Sequence, residues 1–422
     1  MRTPFYVGVM GLAVGVTFAR SFTLATVLPQ VEFGVYATLA AAGFFVSNLL
    51  SFGLVERTYK LYPRLWADSQ RDVARVQCDG TVRVLFLRFL VCLPISAACA
   101  LIANANVLAG LSVVSVAFGI SMIGAYTSLH RATTDVYTLS FTTLARSVLS
   151  IILALFGALA FGLYGAILGE VAAAIVGALI SRTCVIKLIR RLPTTAFSNV
   201  SVVTQELGGS GRWVFFGFLA AAAPMYLDRT FVTTSFGGSV AGTYAFLSLF
   251  VVAANTAVGI LAQKIGPELI QMERRGASAN RLLRYALRWI MLFWFAWLVG
   301  IICAAILLIE GGGVFGALNE KYGLNFPLFY AIAALGLVQI SVLLDFILLS
   351  QDRERSLFVA AVTYLTATAL VCGVVYYFGA SLLEFLCMLA IAKLIHCVMQ
   401  VSPVLLSSSF LSKSSNKRRY ES

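Results

Sequence analysis

Apolar residues follow one another in long blocks along the whole chain, and short polar stretches separate the blocks. A block of about 20 apolar residues is long enough to cross the hydrocarbon core of a bilayer as a helix. A helix also satisfies its own backbone hydrogen bonds, which lipid cannot do. The pattern therefore predicts an all-α integral membrane protein with about twelve transmembrane helices. The predicted spans are 5–27, 33–55, 84–105, 107–128, 139–160, 162–181, 211–235, 239–262, 286–309, 326–350, 357–378 and 382–405.

The composition of the chain agrees with this class. Of its 422 residues, 60% are hydrophobic and 12% are charged, and the charged fraction is about half that of a soluble domain. The formal net charge is +13, but no connection between spans is long enough to form a basic nucleic-acid-binding domain. We therefore expect no nucleic-acid partner. None of the eight cysteines shows CxxC spacing, so no metal site and no cofactor are expected.

The basic residues of the connections lie almost entirely on one side of the predicted membrane. The other side holds only Lys321. Cytoplasmic connections of membrane proteins are rich in Lys and Arg, so the basic side is predicted to be cytoplasmic. An even number of spans then places both termini in the cytoplasm.

A short pattern that occurs twice indicates an internal repeat. Arg20-Ser21-Phe22 is followed by Gly34-Val35-Tyr36, and Arg229-Thr230-Phe231 is followed by Gly242-Thr243-Tyr244. The copies lie at the first and seventh spans, so both halves have the same orientation. Two six-helix lobes are expected, related by a pseudo-two-fold axis along the membrane normal. The predicted domains are an N-terminal lobe of residues 1–181, a cytoplasmic linker of 182–210, a C-terminal lobe of 211–405 and a basic cytoplasmic tail of 406–422.

The same regions contain the motifs of a known family. Phe18-Ala19-Arg20 precedes Leu28-Pro29 and Glu32-Phe33-Gly34-Val35-Tyr36, and Tyr226-Leu227-Asp228-Arg229 precedes Gly242-Thr243-Tyr244. These stretches resemble the polysaccharide flippases of the MOP exporter superfamily, the Wzx or O-antigen type. Members of that family carry an Arg near the end of helix one, then L-P-x-x-x-F-G-x-Y, and a D-R…G-x-Y pattern in helix seven.

The resemblance implies a MATE-like fold and a function. The protein would flip an undecaprenyl-pyrophosphate-linked oligosaccharide repeat unit, of O-antigen, lipopolysaccharide or a related surface polysaccharide, from the cytoplasmic to the periplasmic leaflet. It would do so by alternating access and would not be an enzyme. The implied location is the bacterial inner membrane. The implied partners are the lipid-linked oligosaccharide, membrane lipids, and a polysaccharide polymerase with its chain-length regulator.

Charged residues inside the spans are candidates for the transport site, because burying them in a bilayer is costly. The repeat places Arg20 and Arg229 at equivalent positions, on opposite walls of the expected central cavity. The planar guanidinium group suits phosphate, so our hypothesis is that both attract the pyrophosphate of the carrier. The alternative is that Arg229 pairs with Asp228 or Asp345, and that Arg20 extends to the outer interface.

Two further basic residues lie in the last span. Lys393 and His396 are three residues apart and share a helix face. One interpretation is that they add positive charge to the cavity and contact sugar or phosphate. The alternative is that their role is purely structural. Arg88 is expected to extend towards the membrane surface, and the same interpretation stays open for Arg146.

Carboxylates inside the spans are candidates for coupling to H+ or Na+. Glu170 and Asp345 would exchange protons near neutral pH if they were buried without a partner. The alternative for both is a salt bridge to a nearby cation: Arg146, Lys393 or Arg229. Asp228 and Pro224 lie one turn apart in the seventh span, and the proline could bend this helix as part of a gate.

Three other functions remain as alternatives. A multidrug or metabolite antiporter of the MATE class would share the fold, but its cationic cargo calls for an acidic cavity. The predicted spans contain four cationic side chains and three carboxylates, which favours an anionic cargo. The cations are Arg20, Arg146, Arg229 and Lys393, and the carboxylates are Glu170, Asp228 and Asp345. A peptidoglycan-precursor flippase usually has two further helices. A membrane enzyme of polysaccharide assembly would need a catalytic constellation, which the short outer connections do not offer.

Overall fold

A computed structural model describes residues 2–55, 58, 62, 65, 71–102, 106–132, 136–190, 211–274, 279–350 and 353–419 of the chain. Within these ranges the chain forms helices and no strands, which confirms the all-α class. The helices divide into two compact units, Met1–Phe215 and Phe216–Ser422.

The N-terminal unit contains the first six predicted spans. Its described helices are α1 (Arg2–Val27), α2 (Gln30–Ser51), α3 (Arg71–Ile102), α4 (Val107–Ala132) and α5 (Val136–Arg190). Helix α5 is a hairpin, because Phe161 and Gly162 leave the helical conformation and Gly162 has a φ of 59°. Its two arms correspond to the predicted fifth and sixth spans.

Helix α6 begins at the end of the first unit, and the helices after it belong to the second. The described helices are α6 (Gly211–Ser235), α7 (Gly238–Arg274), α8 (Ala279–Glu310), α9 (Val314–Tyr322), α10 (Phe326–Leu337), α11 (Ser341–Ser350), α12 (Glu354–Phe378) and α13 (Leu382–Arg419). The short helix α9 lies between the ninth and tenth predicted spans.

The number of membrane spans agrees with the prediction. Ten helical segments of the described chain are long and apolar enough to cross a membrane, and one of them, Tyr137–Lys187, contains both arms of α5. Helix α6 is not among the ten, because Asp228 and Arg229 lower its mean hydropathy, but its 25 residues have the length of a span. Counting the two arms separately and adding α6 gives the twelve helices of a multi-pass membrane protein.

The turns on the less basic side are tight in both units. Two residues, Leu28 and Pro29, separate α1 from α2, and two residues, Phe236 and Gly237, separate α6 from α7. Gly237 has a φ of 87°, a conformation that glycine adopts without strain. These two turns occupy equivalent positions in the repeat.

Several helices extend beyond the predicted spans on the basic side. Helix α3 begins at Arg71 instead of residue 84, and α7 continues to Arg274 instead of residue 262. Helix α5 continues to Arg190, so the predicted linker 182–210 begins inside a helix, and residues 191–210 lie outside the described chain. Hydropathy marks where apolar residues end, whereas a helix continues for as long as its backbone bonds are favourable.

The tenth predicted span is interrupted. A short 3₁₀ turn, Val338–Ile340, separates α10 from α11. The indole N–H of Trp294 donates to the carbonyl of Leu337 at 2.8 Å, and that of Trp297 donates to the carbonyl of Ala333 at 3.0 Å. These bonds from α8 satisfy carbonyls next to the break, where lipid offers no partner.

The two arms of α5 pack with their backbones in contact. A Cβ atom on Gly165 would lie 1.9 Å from the carbonyl oxygen of Gly157, and one on Gly169 would lie 2.3 Å from that of Leu153. Glycine is therefore required at these positions for the arms to approach each other, as in other membrane helix pairs with small residues. The close approach brings Ser150 on the first arm to Glu170 on the second.

Replacing Gly165 with alanine should destabilise the N-terminal unit. The added methyl group would force the arms of α5 apart, and overpacking of this kind costs about 1–3 kcal/mol. We expect a lower unfolding temperature, measured by intrinsic tryptophan fluorescence on purified protein in detergent. Gly300→Ala in α8 is the control, because a Cβ there meets nothing within 4 Å. Equal unfolding temperatures for the two variants would contradict this packing.

Candidate functional site

A partly buried ion pair joins α1 to the second arm of α5. The Nη1 atom of Arg20 lies 2.8 Å from Oε1 of Glu170 and 2.9 Å from its Oε2. Both side chains are 18% exposed. An arginine and a carboxylate at this distance form a charge-assisted hydrogen bond, which is among the strongest that proteins make.

Two hydroxyl groups complete the coordination of Glu170. Tyr36 on α2 donates to Oε1 at 2.7 Å, and Ser150 on the first arm of α5 donates to Oε2 at 3.1 Å. Arg20 also donates to the Ser150 hydroxyl at 2.6 Å. Each carboxylate oxygen therefore accepts from a hydroxyl and from Arg20, and the network ties α1, α2 and both arms of α5 together.

The salt bridge expected for Glu170 is present, but its partner was predicted wrongly. The predicted partners are Arg146, Lys393 and Arg229, whereas the partner in the structure is Arg20. Arg20 is accordingly not extended to the outer interface. The spacing of residues along a sequence does not reveal which face of α1 meets which face of α5, so this pairing needed the folded packing.

Arg146 lies close to this network without joining it. It is half-buried on the first arm of α5, and its side chain packs against Gly177 on the second arm, where a Cβ would lie 2.9 Å from Cγ of Arg146. Within the described chain its guanidinium group has no hydrogen bond and no ion pair. The three charged groups Arg20, Glu170 and Arg146 together carry one net positive charge.

Arg88 bonds to the C-terminal end of α2, and its extension towards the membrane surface stays a prediction. Its Nη1 donates to the carbonyls of Leu50 and Ser51 at 3.0 and 2.7 Å, at the end of α2. The guanidinium group also lies 5.5 Å from the ring centroid of Phe52. A cation at a helix C-terminus satisfies unpaired carbonyls and interacts favourably with the helix dipole.

In the C-terminal unit, Asp228 bonds to a tyrosine. The hydroxyl of Tyr244 on α7 donates to Oδ2 of Asp228 on α6 at 2.7 Å. The other oxygen, Oδ1, is buried and has no hydrogen-bond partner among the described residues. Tyr244 and Tyr36 are the tyrosines of the two G-x-Y motifs, so each copy of the repeat pairs its tyrosine with a carboxylate.

The neighbouring residue Arg229 repeats a second feature of the N-terminal network. Its Nη2 donates to the hydroxyl of Ser248 at 3.0 Å, as Arg20 does to Ser150. Pro224 lies inside α6 one turn before Asp228, and the helix continues through it. Its proposed role in gating stays a prediction.

Asp345 lies on α11, just after the break in the tenth span. It accepts a short hydrogen bond from the Nε2 of Gln400 on α13, which also donates to the carbonyl of Ser341 at 3.3 Å. The expected salt bridge to a cation is absent for this residue in the described chain. Lys393 is near enough to interact electrostatically with Asp345, but it does not bond to it.

Lys393 and His396 meet the same aromatic ring. The Nζ of Lys393 lies 4.3 Å from the ring centroid of Tyr364 on α12, and the imidazole of His396 stacks on that ring at 5.0 Å with an interplanar angle of 9°. Lys393 is 8% exposed and His396 is 2% exposed. The shared face that the sequence predicted for these two residues is therefore turned towards α12.

Sequence reasoning missed the polar partners of the charged residues. Tyr364, Ser150 and Gln400 belong to no motif of the sequence. For Tyr36 and Tyr244 a signal existed, because both belong to the repeated G-x-Y motif. A tyrosine repeated at equivalent positions beside charged residues is a candidate hydrogen-bond donor.

Removing either member of the Arg20–Glu170 pair should destabilise the protein more than removing both. Glu170→Gln leaves the charge of Arg20 without its counter-charge, and Arg20→Met leaves the charge of Glu170 without its counter-charge. Removing one partner of a buried ion pair costs about 3–5 kcal/mol of stability. We expect each single variant to unfold at a lower temperature than the Arg20→Met, Glu170→Gln double variant. Arg182→Met and Glu310→Gln, at exposed positions, are matched controls. Additive effects of the two substitutions would contradict the pairing.

Solved structures with the same fold are MATE transporters. A point mutant of the Vibrio cholerae MATE transporter VcmN is 17% identical with a TM-score of 0.69, covering 98% of this chain and 97% of that chain. MATE in the bent conformation is 13% identical, with a TM-score of 0.65 and coverages of 97% and 95%. An outward-facing multidrug resistance MATE family transporter of the MOP superfamily is 12% identical, with a TM-score of 0.64 and coverages of 98% and 95%.

No protein-family model matches the chain, and no curated protein matches it. At these sequence identities a structural likeness establishes the fold and not the cargo. The protein is a multi-pass membrane protein with the fold of the MATE transporters.

Proposed function

We propose that the protein is a transporter of an anionic cargo. The cargo is an oligosaccharide repeat unit linked through pyrophosphate to undecaprenol, moved from the cytoplasmic to the periplasmic leaflet by alternating access. The fold supports a transporter, since the solved structures that share it are transporters. The motifs around Arg20 and Arg229 support this cargo, because they resemble those of polysaccharide flippases.

The charge inside the N-terminal unit is the observation that carries the proposal. Arg20 and Glu170 neutralise each other, and both oxygens of Glu170 already accept hydrogen bonds. Arg146 adds a cation that has no partner in the described chain. A cationic ligand would be repelled by Arg146 and would find no vacant carboxylate in this network, whereas a phosphate would supply the acceptors that Arg146 lacks.

Each unit has an arginine that is a candidate for contact with the anionic cargo. Arg146 is the first candidate in the N-terminal unit, because Arg20 is already neutralised. The buried Nε of Arg20 has no partner among the described residues, so it retains one donor for an anion. Arg20 and Arg229 each donate to a serine hydroxyl, and charged phosphate oxygens are stronger acceptors than hydroxyls.

Coupling to H+ or Na+ remains part of the proposal for two of the three carboxylates. Glu170 is held by three partners, which leaves it little freedom to bind another cation. Asp228 has one buried oxygen without a partner, and Asp345 has a single hydrogen bond from an amide. These two residues are therefore the better candidates for exchanging a coupling ion.

A multidrug antiporter is the second candidate function. The observation that favours it is the fold, which the chain shares with a multidrug resistance MATE family transporter. Such a cargo is usually cationic and would need an acidic site, which the N-terminal network does not offer. The polymerase and the chain-length regulator implied by the family resemblance stay predictions in either case.

Deleting the gene should abolish long-chain surface polysaccharide and leave lipid-linked repeat units on the cytoplasmic side of the membrane. Gel electrophoresis of surface polysaccharide measures the first effect, and extraction of lipid-linked sugars measures the second. Restoring the gene should reverse both. Normal polysaccharide together with altered sensitivity to cationic drugs would contradict the flippase and favour the antiporter.

Complementation with variants extends the same experiment. Arg146→Gln should restore less than about a tenth of the polysaccharide, the effect of losing about 1.4 kcal/mol in binding, while Arg146→Lys should restore an intermediate amount. Arg182→Gln removes an exposed arginine from the same hairpin and is the matched control. Full restoration by Arg146→Gln at equal protein levels would exclude Arg146 from the site.

A further inference from the structure

We propose that Lys393 and His396, with the ring of Tyr364, form an oxyanion-binding subsite inside the C-terminal unit. The subsite would take a phosphate or carboxylate group of the cargo. The inference rests on the proposed function, because it assumes an anionic cargo, but it concerns residues distinct from the arginines discussed above. Three observations carry it.

The first observation is a buried lysine with unused donors. Lys393 is 92% buried, and its ammonium group has three N–H donors but no hydrogen bond and no ion pair within the described chain. Its contact is the face of Tyr364 at 4.3 Å. A cation–π contact of this kind stabilises the ammonium group, but burying an ion costs more than such a contact returns. The ring alone therefore does not compensate for burial of the charge.

The second observation is a histidine nitrogen on the same face of α13 as Lys393. His396 follows Lys393 by three residues and is 98% buried, and its Nδ1 has no hydrogen-bond partner among the described residues. Its ring orientation is fixed by stacking on Tyr364. A buried polar atom without a partner is uncommon in native structures and calls for an explanation.

The third observation concerns the carboxylate that could have neutralised Lys393. Asp345 instead accepts from Gln400, and Gln400 is itself held by the carbonyl of Ser341. Lys393 thus faces an aromatic ring, and no ion pair joins it to this carboxylate in the described chain. The arrangement keeps the ammonium group available for another anion.

An oxyanion fits these groups better than the other classes of ligand. A cation would be repelled by Lys393, and an apolar group would leave both nitrogens without partners. A phosphate or carboxylate has several acceptor oxygens, so it can accept from Lys393 and from a protonated Nδ1 of His396 together. An oxyanion could come from the pyrophosphate of the carrier or from an acidic sugar of the oligosaccharide.

Binding measurements on the purified full-length protein test the subsite. The probes are farnesyl pyrophosphate, inorganic pyrophosphate and glucuronate, with farnesol as the uncharged control, and calorimetry reports the dissociation constant. We expect Lys393→Gln to weaken oxyanion binding about tenfold or more and Lys393→Arg to retain it. His396→Phe keeps the ring stacking but removes Nδ1, and should weaken binding about threefold, as expected for one hydrogen bond.

Lys321→Gln is the matched control. Lys321 also lies over a tyrosine ring, that of Tyr322 at 5.4 Å, but on the short helix α9. This variant should bind the probes like the unmodified protein. The unfolding temperature of each variant shows that a loss of binding does not come from unfolding, and His396→Phe keeps the test valid if Lys393→Gln is unstable.

The outcomes separate the subsite from the proposed function. If the Lys393 and His396 variants bind both pyrophosphate probes more weakly than the unmodified protein, the subsite is supported and the carrier is the source of the oxyanion. If these variants bind only glucuronate more weakly, the subsite is supported and the sugar is the source. If the unmodified protein binds an oxyanion and the Lys393 and His396 variants bind it equally well, the subsite is wrong and the proposed function stands. If the protein binds tetraphenylphosphonium and no oxyanion, both are wrong.

Discussion

The N-terminal unit depends on one ion pair buried within the membrane-spanning helices. Burying either Arg20 or Glu170 alone has a high desolvation cost. The ion pair lowers that cost, because the charges neutralise each other and Tyr36 and Ser150 supply the remaining hydrogen bonds of the carboxylate. The pair therefore fixes the mutual positions of α1, α2 and both arms of α5. It also determines the electrostatic character of this interior, because it occupies Glu170 and leaves Arg146 as an unbalanced cation.

The two halves of the repeat form similar hydrogen-bond networks, but the carboxylate comes from a different position in each half. Each combines a tyrosine of the G-x-Y motif with a carboxylate, and an arginine with a serine. In the first half the carboxylate comes from a distant span, whereas in the second half Asp228 lies beside Arg229 on the same helix. The tyrosine–carboxylate contact of the second half therefore connects two helices instead of several.

The sequence was sufficient to predict features that depend on local pattern. Apolar blocks predicted the spans, and the Arg20 and Arg229 motifs predicted the repeat, because both are expressed in neighbouring residues. Pairings across the fold were not accessible in this way. The partner of Glu170 depends on which faces of α1 and α5 meet, and no pattern of neighbouring residues encodes that. The break in the tenth span was missed because Trp294 and Trp297, which support it, lie on another helix.

We propose that this protein carries a pyrophosphate-bearing lipid across the membrane. The most direct measurement uses vesicles that contain the purified protein and a fluorescent polyprenyl pyrophosphate, with a quencher outside to report the fraction of lipid in each leaflet. We expect the protein to accelerate exchange of this lipid between leaflets, and we expect Arg146→Gln, but not Arg182→Gln, to slow the exchange. Absence of lipid exchange in vesicles that do take up an organic cation would contradict it.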